Sequence, residues 1–141
     1  MQPKKTKYRK YFKPRGLPNP STKTLKLTKI TCFALRSLKS GYINGRQIEA
    51  ARQNIRRKIK RGGKLEILIF PDIALSRKTS AARMGKGKGK VDHWIASISA
   101  GQTLFLLYGI DAEQGIPALH SGANKLPVSY THLTLPTNRE V

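Results

Sequence analysis

Residues 83–90 read Arg83-Met84-Gly85-Lys86-Gly87-Lys88-Gly89-Lys90. Glycine at every second position removes side-chain bulk and lets backbone approach a surface closely. The lysines between them are compact point charges suited to phosphate, and Arg83 adds a planar fork for phosphate or base edges. The pattern is not a P-loop. That motif, G-x-x-x-x-G-K-[ST], requires a Ser or Thr after its lysine and a helix after the loop, and the stretch offers neither. It is not G-x-G-x-x-G either, because Lys90 stands where the third glycine belongs. A flexible linker of the same composition is the bland alternative.

Other chemistry finds little support. Cys32 is the single cysteine, so no disulfide can form within the chain. His93, His120 and His132 are scattered without metal-ligand spacing, so no metal and no cofactor is expected. The seven acids are dispersed, and only Asp72 and Asp92, at the two ends of the loop region, could pair. Such a pair would be the minimum for a small nuclease or RNA-modifying enzyme. The expectation is that the protein is not an enzyme and takes no small-molecule substrate.

Two further segments share the loop's chemistry. Residues 2–15 carry seven basic residues and no acid, with Tyr8, Tyr11 and Phe12 interleaved. Lys4, Lys5, Lys7, Arg9, Lys10 and Lys13 suit phosphate, and Tyr8 suits stacking on bases or sugars. Pro14, Pro18 and Pro20 keep the chain extended. This arm, residues 1–23, is expected to lack fixed structure alone and to order on RNA.

The third segment is a helix. Asn44 is a good N-cap and Gln47 stands at the capping-box position. At 100° per residue Ile48, Ala51, Ile55 and Ile59 share one stripe, while Arg46, Arg57, Lys60 and Arg61 lie opposite. With Arg52 and Arg56, the stretch 46–61 is too one-sided, against Glu49 alone, for salt-bridge decoration. Gly62-Gly63 is the expected stop. One face is therefore core, and the other is expected to meet RNA backbone.

The charge balance of the whole chain agrees. Its 141 residues hold 28 Lys and Arg against 7 Asp and Glu, a net charge of +21 with neutral histidines. Such self-repulsion points to a polyanionic partner, most simply nucleic acid. The excess is local: residues 1–61 hold 19 of the basic residues and one acid. Six of the remaining nine lie between Arg77 and Lys90. No apolar run approaches 20 residues and no secretory h-region opens the chain, so no membrane partner is expected.

The elements that hold these segments follow from alternation and breakers. Residues 24–38 read as one or two strands, broken at Gly41. Residues 64–70 read as a strand whose end is apolar on both faces, hence central. Residues 91–98 and 103–108 read as a hairpin with Ser99-Ala100-Gly101-Gln102 at its tip. A second helix from Asp111 contains Gly115, Pro117 and Gly122, so it is expected to be short, bent or begun late, and to end by Pro127. Residues 129–141 read as an irregular tail.

Together these stretches resemble a family. Gln2-Pro3-Lys4-Lys5-Thr6-Lys7-Tyr8-Arg9-Lys10, Arg46-Gln47-Ile48-Glu49-Ala50-Ala51-Arg52, the strand from Gly63-Lys64 to Phe70-Pro71-Asp72, the Arg83–Gly89 loop followed by Trp94-Ile95-Ala96, and Lys125-Leu126-Pro127 stand in the order and spacing of ribosomal protein L-sixteen of the bacterial and organellar large subunit. That family is related to the archaeal and eukaryotic L-ten-e group. The likeness runs from about residue 2 to 128 and is weaker over 14–42. It implies a single α+β domain at 24–128: a mostly antiparallel sheet with two packed helices, a basic N-terminal arm and a long Gly/Lys loop at 77–90.

The resemblance also implies a structural component of the large ribosomal subunit, at the base of the central protuberance. Its partners would be large-subunit rRNA, neighbouring large-subunit proteins and the acceptor ends of A- and P-site tRNA. The rRNA would meet the arm and helix residues named above. The tRNA would meet Arg83, Met84, Gly85, Lys86, Gly87, Lys88, Gly89 and Lys90. A free-standing RNA- or DNA-binding regulator is the alternative from another class. The divergent stretch 14–42 and the irregular second helix lean the source toward the mitochondrion, then the plastid.

Overall fold

The computed structural model describes residues 1–10, 12–19, 32–60 and 62–135. The strand reading of 24–31, Tyr11, Arg61 and the last six residues lie outside that range. Nine elements follow in chain order: β1 (Cys32–Ser37), β2 (Gly41–Asn44), α1 (Gly45–Ile59), β3 (Lys64–Ile67), β4 (Ile73–Arg77), β5 (Lys90–Ile98), β6 (Thr103–Tyr108), α2 (Ala112–Ala123) and β7 (Tyr130–Leu135). The strands form two antiparallel sheets, one ordered β3-β6-β1-β7 and the other β2-β5-β4. The fold is α+β.

Helix α1 forms for the local reasons its sequence gives. Asn44 Oδ1 accepts from the Arg46 N–H at 3.2 Å, and Gln47 Oε1 accepts from the Asn44 N–H at 2.9 Å. These bonds occupy amides that the first turn leaves without partners. Ile48, Ala51 and Ile55 are fully buried and Ile59 nearly so. They join Phe33, Leu35, Phe105 and Leu107 of the first sheet and Ile43, Ala96 and Ile98 of the second in one apolar cluster. Both sheets therefore share a single core.

Helix α2 corrects the expectation of a late or broken start. It begins directly after Asp111 and runs 12 residues. No side chain caps it; the Asp111 carbonyl accepts from the N–H groups of Gln114 and Gly115 at 3.2 and 2.9 Å. Pro117 removes only its own bond to the carbonyl of Glu113, an exposed residue whose oxygen water can reach. The glycines serve close packing. A Cβ on Gly122 would collide with the Ile55 side chain and lie 3.2 Å from the Ala51 carbonyl, and one on Gly115 would lie 3.0 Å from the Phe33 ring. The residues that weaken the helix by propensity are those that let it touch α1 and β1.

Three strand readings change. The stretches 91–98 and 103–108 are not a hairpin: β5 pairs with β2 and β4, β6 with β1 and β3. The connection turns a corner between sheets because Ser37 captures it. The Ser37 N–H donates to Gln102 O at 2.9 Å, the Gly101 N–H to Ser37 O at 2.8 Å, and Arg36 Nε to Gly101 O at 2.6 Å.

Strand β3 is an edge rather than a central strand. It stops at Ile67; the Leu68 N–H still donates to Leu104 O at 3.0 Å, and beyond it Ile69 is buried and Phe70 exposed. Part of the expected tail is a strand, since Tyr130–Leu135 pair with β1 along its whole length. The alternation of Tyr130, His132 and Thr134 with Thr131, Leu133 and Leu135 was the available signal. Two short strands, β2 and β4, were not anticipated; β1 ends before Gly41, and Gly41 opens β2.

Two substitutions test this packing. Gly122→Ala should cost about 1–3 kcal/mol by overpacking, read as a lower urea midpoint at unchanged slope. Ile55→Asp should cost about 4–5 kcal/mol or more by burying an unpaired charge and leave the free protein largely unfolded by circular dichroism.

Candidate nucleic-acid interface

The Gly/Lys loop is the tip of the β4–β5 hairpin. Arg77 pairs with Lys90 across its base, after a register shift between Leu75 and Ser76. Gly89 lies so close to the backbone of Arg77 and Lys78 that any Cβ would clash, which closes the neck. Beyond the neck Gly85, Lys86 and Gly87 all take positive φ, of 85°, 56° and 83°. The two glycines do so without strain, and Lys86 at a cost of roughly 1–2 kcal/mol. Lys78 Nζ donates to the Gly85 carbonyl at 2.5 Å, and the Ala82 N–H to Thr79 O at 3.0 Å. Arg83, Met84, Lys86, Lys88 and Lys90 are exposed, Met84 at 99%. The loop thus presents alternating charge and bare backbone on a narrow stalk.

The arm is seated on the protein, not loose beside it. Tyr42 Oη donates to Gly16 O at 2.7 Å, and Ser40 Oγ to Pro18 O at 2.9 Å. The Lys13 ammonium lies 4.7 Å from the Tyr42 ring centre. Lys10 Nζ donates to Lys88 O at 3.1 Å, while the Lys88 ammonium lies 4.7 Å from the Phe12 ring centre. The expectation of an arm with no fixed course is corrected to this extent: aromatic rings and carbonyls of the protein accept its cations. Lys4, Lys5, Lys7, Tyr8, Arg9, Lys10 and Lys13 remain exposed, with the Lys7 ammonium 5.5 Å from the Tyr8 ring centre.

On α1, Arg46, Arg56, Arg57 and Lys60 are exposed, as expected. Arg52 is half-buried and tied to Glu49 through both carboxylate oxygens, at 2.6 and 3.0 Å. That pair holds the Glu49 carboxyl below the usual range and commits Arg52 to the helix surface. The cations also divide along the axis. Arg46 stands at the start of α1, about 16 Å from Arg57 at ~1.5 Å per residue. Its neighbours there are Asp92, His93 and Trp94 of β5, which line a shared cleft with Gln2. Arg52 and Arg56 line a second cleft with Lys64 near the other end.

The helix stop also differs from the Gly62-Gly63 reading. Lys60 itself takes φ 58° and ψ −115°, while its N–H donates to Arg56 O at 3.0 Å. A lysine therefore occupies backbone that glycine holds more easily.

Carboxylate chemistry is not assembled. Ile73 pairs with Ile95, which leaves Asp72 and Asp92 four residues out of register, about 13 Å apart at ~3.3 Å per residue. Asp92 instead meets its neighbour, His93 Nδ1, at 2.8 Å. That bond, followed by the charges of His93, Arg77 and Arg46, holds its carboxyl below the usual range. Among the described residues no group of three His, Cys, Asp or Glu could hold a metal ion.

Tyr42 under Lys13 escaped the sequence reading, which named Arg77, Lys78 and Phe12 as basic and aromatic residues but not their places at the loop neck and against Lys88. Nothing local marked Tyr42.

Comparison with known proteins decides the family. The model of the family described as ribosomal protein L16p/L10e matches residues 3–133. The chain belongs to that family. A protein described as large ribosomal subunit protein uL16 from Leptospira biflexa is 44% identical over 128 residues, 91% of this chain and 92% of that one. Its counterpart in Blochmanniella pennsylvanica is 44% identical over 131 residues, covering 93% and 96%. The one in Psychrobacter arcticus is 46% identical over 133 residues, covering 93% and 94%. As a family member the chain is a structural, non-enzymatic constituent of the large ribosomal subunit and serves translation. These relatives are bacterial, and the mitochondrial leaning gains nothing from them.

Lys60→Gly separates fold from surface charge. It should stabilise the free protein by about 1 kcal/mol through relief of the positive-φ lysine, seen as a raised urea midpoint, although it removes a cation from the exposed side of α1.

Proposed function

We propose that this L16p/L10e chain binds large-subunit rRNA through its arm and the exposed side of α1, at the base of the central protuberance. We propose further that the β4–β5 loop reaches the acceptor ends of A- and P-site tRNA and helps position them. Neighbouring large-subunit proteins are its other partners. The observation that carries this reading is the loop itself: a closed neck, a tip with successive positive φ, and exposed Arg83, Met84 and Lys86 beyond any apolar anchor. A connection between two strands needs only a few residues. A tip of cations and bare backbone suits phosphate and sugar at close range. On the helix, Arg46, Arg56, Arg57 and Lys60 suit phosphate along a short stretch of RNA backbone, while Arg52 positions through Glu49.

Two grounds favour an organellar source, and one is Gly115 and Pro117 inside α2. The divergence of residues 14–42 is the other, and the protein content of the particle that carries the chain decides it.

Two measurements test the proposal. Arg57→Glu with Lys60→Glu should weaken binding to large-subunit rRNA and lower its log–log salt slope by about 2, since each phosphate contact contributes close to one. Arg83→Ala with Lys86→Ala should leave subunit assembly intact, because arm and helix hold most of the charge, and should slow tRNA accommodation. Normal accommodation would remove the tRNA role. Failed assembly would make the loop an rRNA anchor instead.

A further inference from the structure

The arm and the loop are both strongly basic, yet they lie side by side. Two like-charged segments stay adjacent only if something holds them, and the contacts that do so are all made within the protein. At the near end, Ser40 Oγ takes the Pro18 carbonyl while accepting from the Ala100 N–H at 2.9 Å. This ties the arm to the β5–β6 corner. Two residues earlier along the arm, Tyr42 binds the Gly16 carbonyl through its hydroxyl, and its ring meets the Lys13 ammonium. At the far end, Phe12 lies under the Lys88 ammonium and Lys10 donates to the Lys88 carbonyl.

The loop, for its part, makes two bonds of its own, from Lys78 Nζ to the Gly85 carbonyl and from the Ala82 N–H to Thr79 O. Beyond the neck at Gly89 it is exposed, and its glycines lose more backbone entropy on ordering than other residues.

We propose that Lys10 and arm residues 12–18 act as a strut that orders the Gly/Lys loop. Tyr42 and Ser40 are its anchors on the sheet, and Phe12 is the residue that bears on Lys88. Phe12 and Tyr42 are thus positioning residues for the loop. Its consequence for tRNA rests on the function proposed above, but the strut itself does not.

Order parameters of the Gly87 and Gly89 amides in the full-length free protein test it. In the parent chain they should be near the rigid-backbone value of about 0.85, and in Phe12→Ala and Tyr42→Ala they should fall below about 0.6. Phe70→Ala, which removes an exposed ring outside both arm and loop, should leave them unchanged. Phe12 is itself exposed, so its loss leaves the core alone. Tyr42→Phe, which keeps the ring and loses the hydroxyl's bonds to the Gly16 and Pro14 carbonyls, should give an intermediate value. Loop amides already mobile in the parent, or unmoved by Phe12→Ala, would overturn the strut.

Ribosomes carrying Phe12→Ala should then accommodate tRNA roughly two- to five-fold more slowly, the factor one exposed cation–π contact supplies. A loosened loop with normal accommodation would leave the strut standing and sink the tRNA reading instead.

Discussion

Like charge repels itself, and a chain of 141 residues with a net charge of +21 must put that charge where the compact core does not feel it. The fold does this by separation. The interior is built from Phe33, Leu35, Ile43, Ile48, Ile55, Ile98, Phe105 and Leu107, with no basic side chain among them. The cations stand on an arm that runs outside the core, on the outer side of α1, and on a hairpin tip carried away from the sheet. A polyanion then removes the repulsion that remains. Stability and binding in this protein draw on the same charge, in opposite directions.

Keeping the core small and neutral sets demands on packing. Two helices and two sheets must share one cluster, so the elements have to approach closely. Gly115 and Gly122 allow it by giving α2 no side chain where Phe33 and Ile55 press in. The same economy appears at the corner after β5. Backbone groups of Ser37 hold Gly101 and Gln102, and the chain passes from one sheet to the other without a separate linker.

Not every lysine is free to serve RNA. Lys10, Lys13, Lys78 and Lys88 each engage a carbonyl or an aromatic ring of the protein, and Arg36 and Arg52 are held by Gly101 and Glu49. Within a region that looks uniformly basic, some cations shape the surface and others face outward from it. Lys60 and Lys86 do so from positive-φ backbone. Strain of that kind persists only where neighbouring structure over-determines it.

The local part of the architecture was legible in the residues. The Asn44–Gln47 cap, the Ile48–Ile59 stripe, the strand runs within 64–70 and at 91–98 and 103–108, and the Gly/Lys tip depend on residue type, periodicity and turn chemistry within a few residues, so they could be read directly. Family membership was legible for the same reason, being carried by short stretches at fixed spacing. Tertiary structure alone decided which strand pairs with which. A ladder partner is chosen by side chains and amides distant in sequence, and Ser37, more than 60 residues away, overrode the hairpin that residues 91–108 suggest locally. It decided that Gly115 and Gly122 are contacts and not helix breakers, because propensity counts a missing side chain as a loss, while packing against Ile55 requires it. It also decided that the arm meets the loop: Phe12 and Lys88 are 76 residues apart, and no local pattern brings a ring beneath an ammonium across that distance.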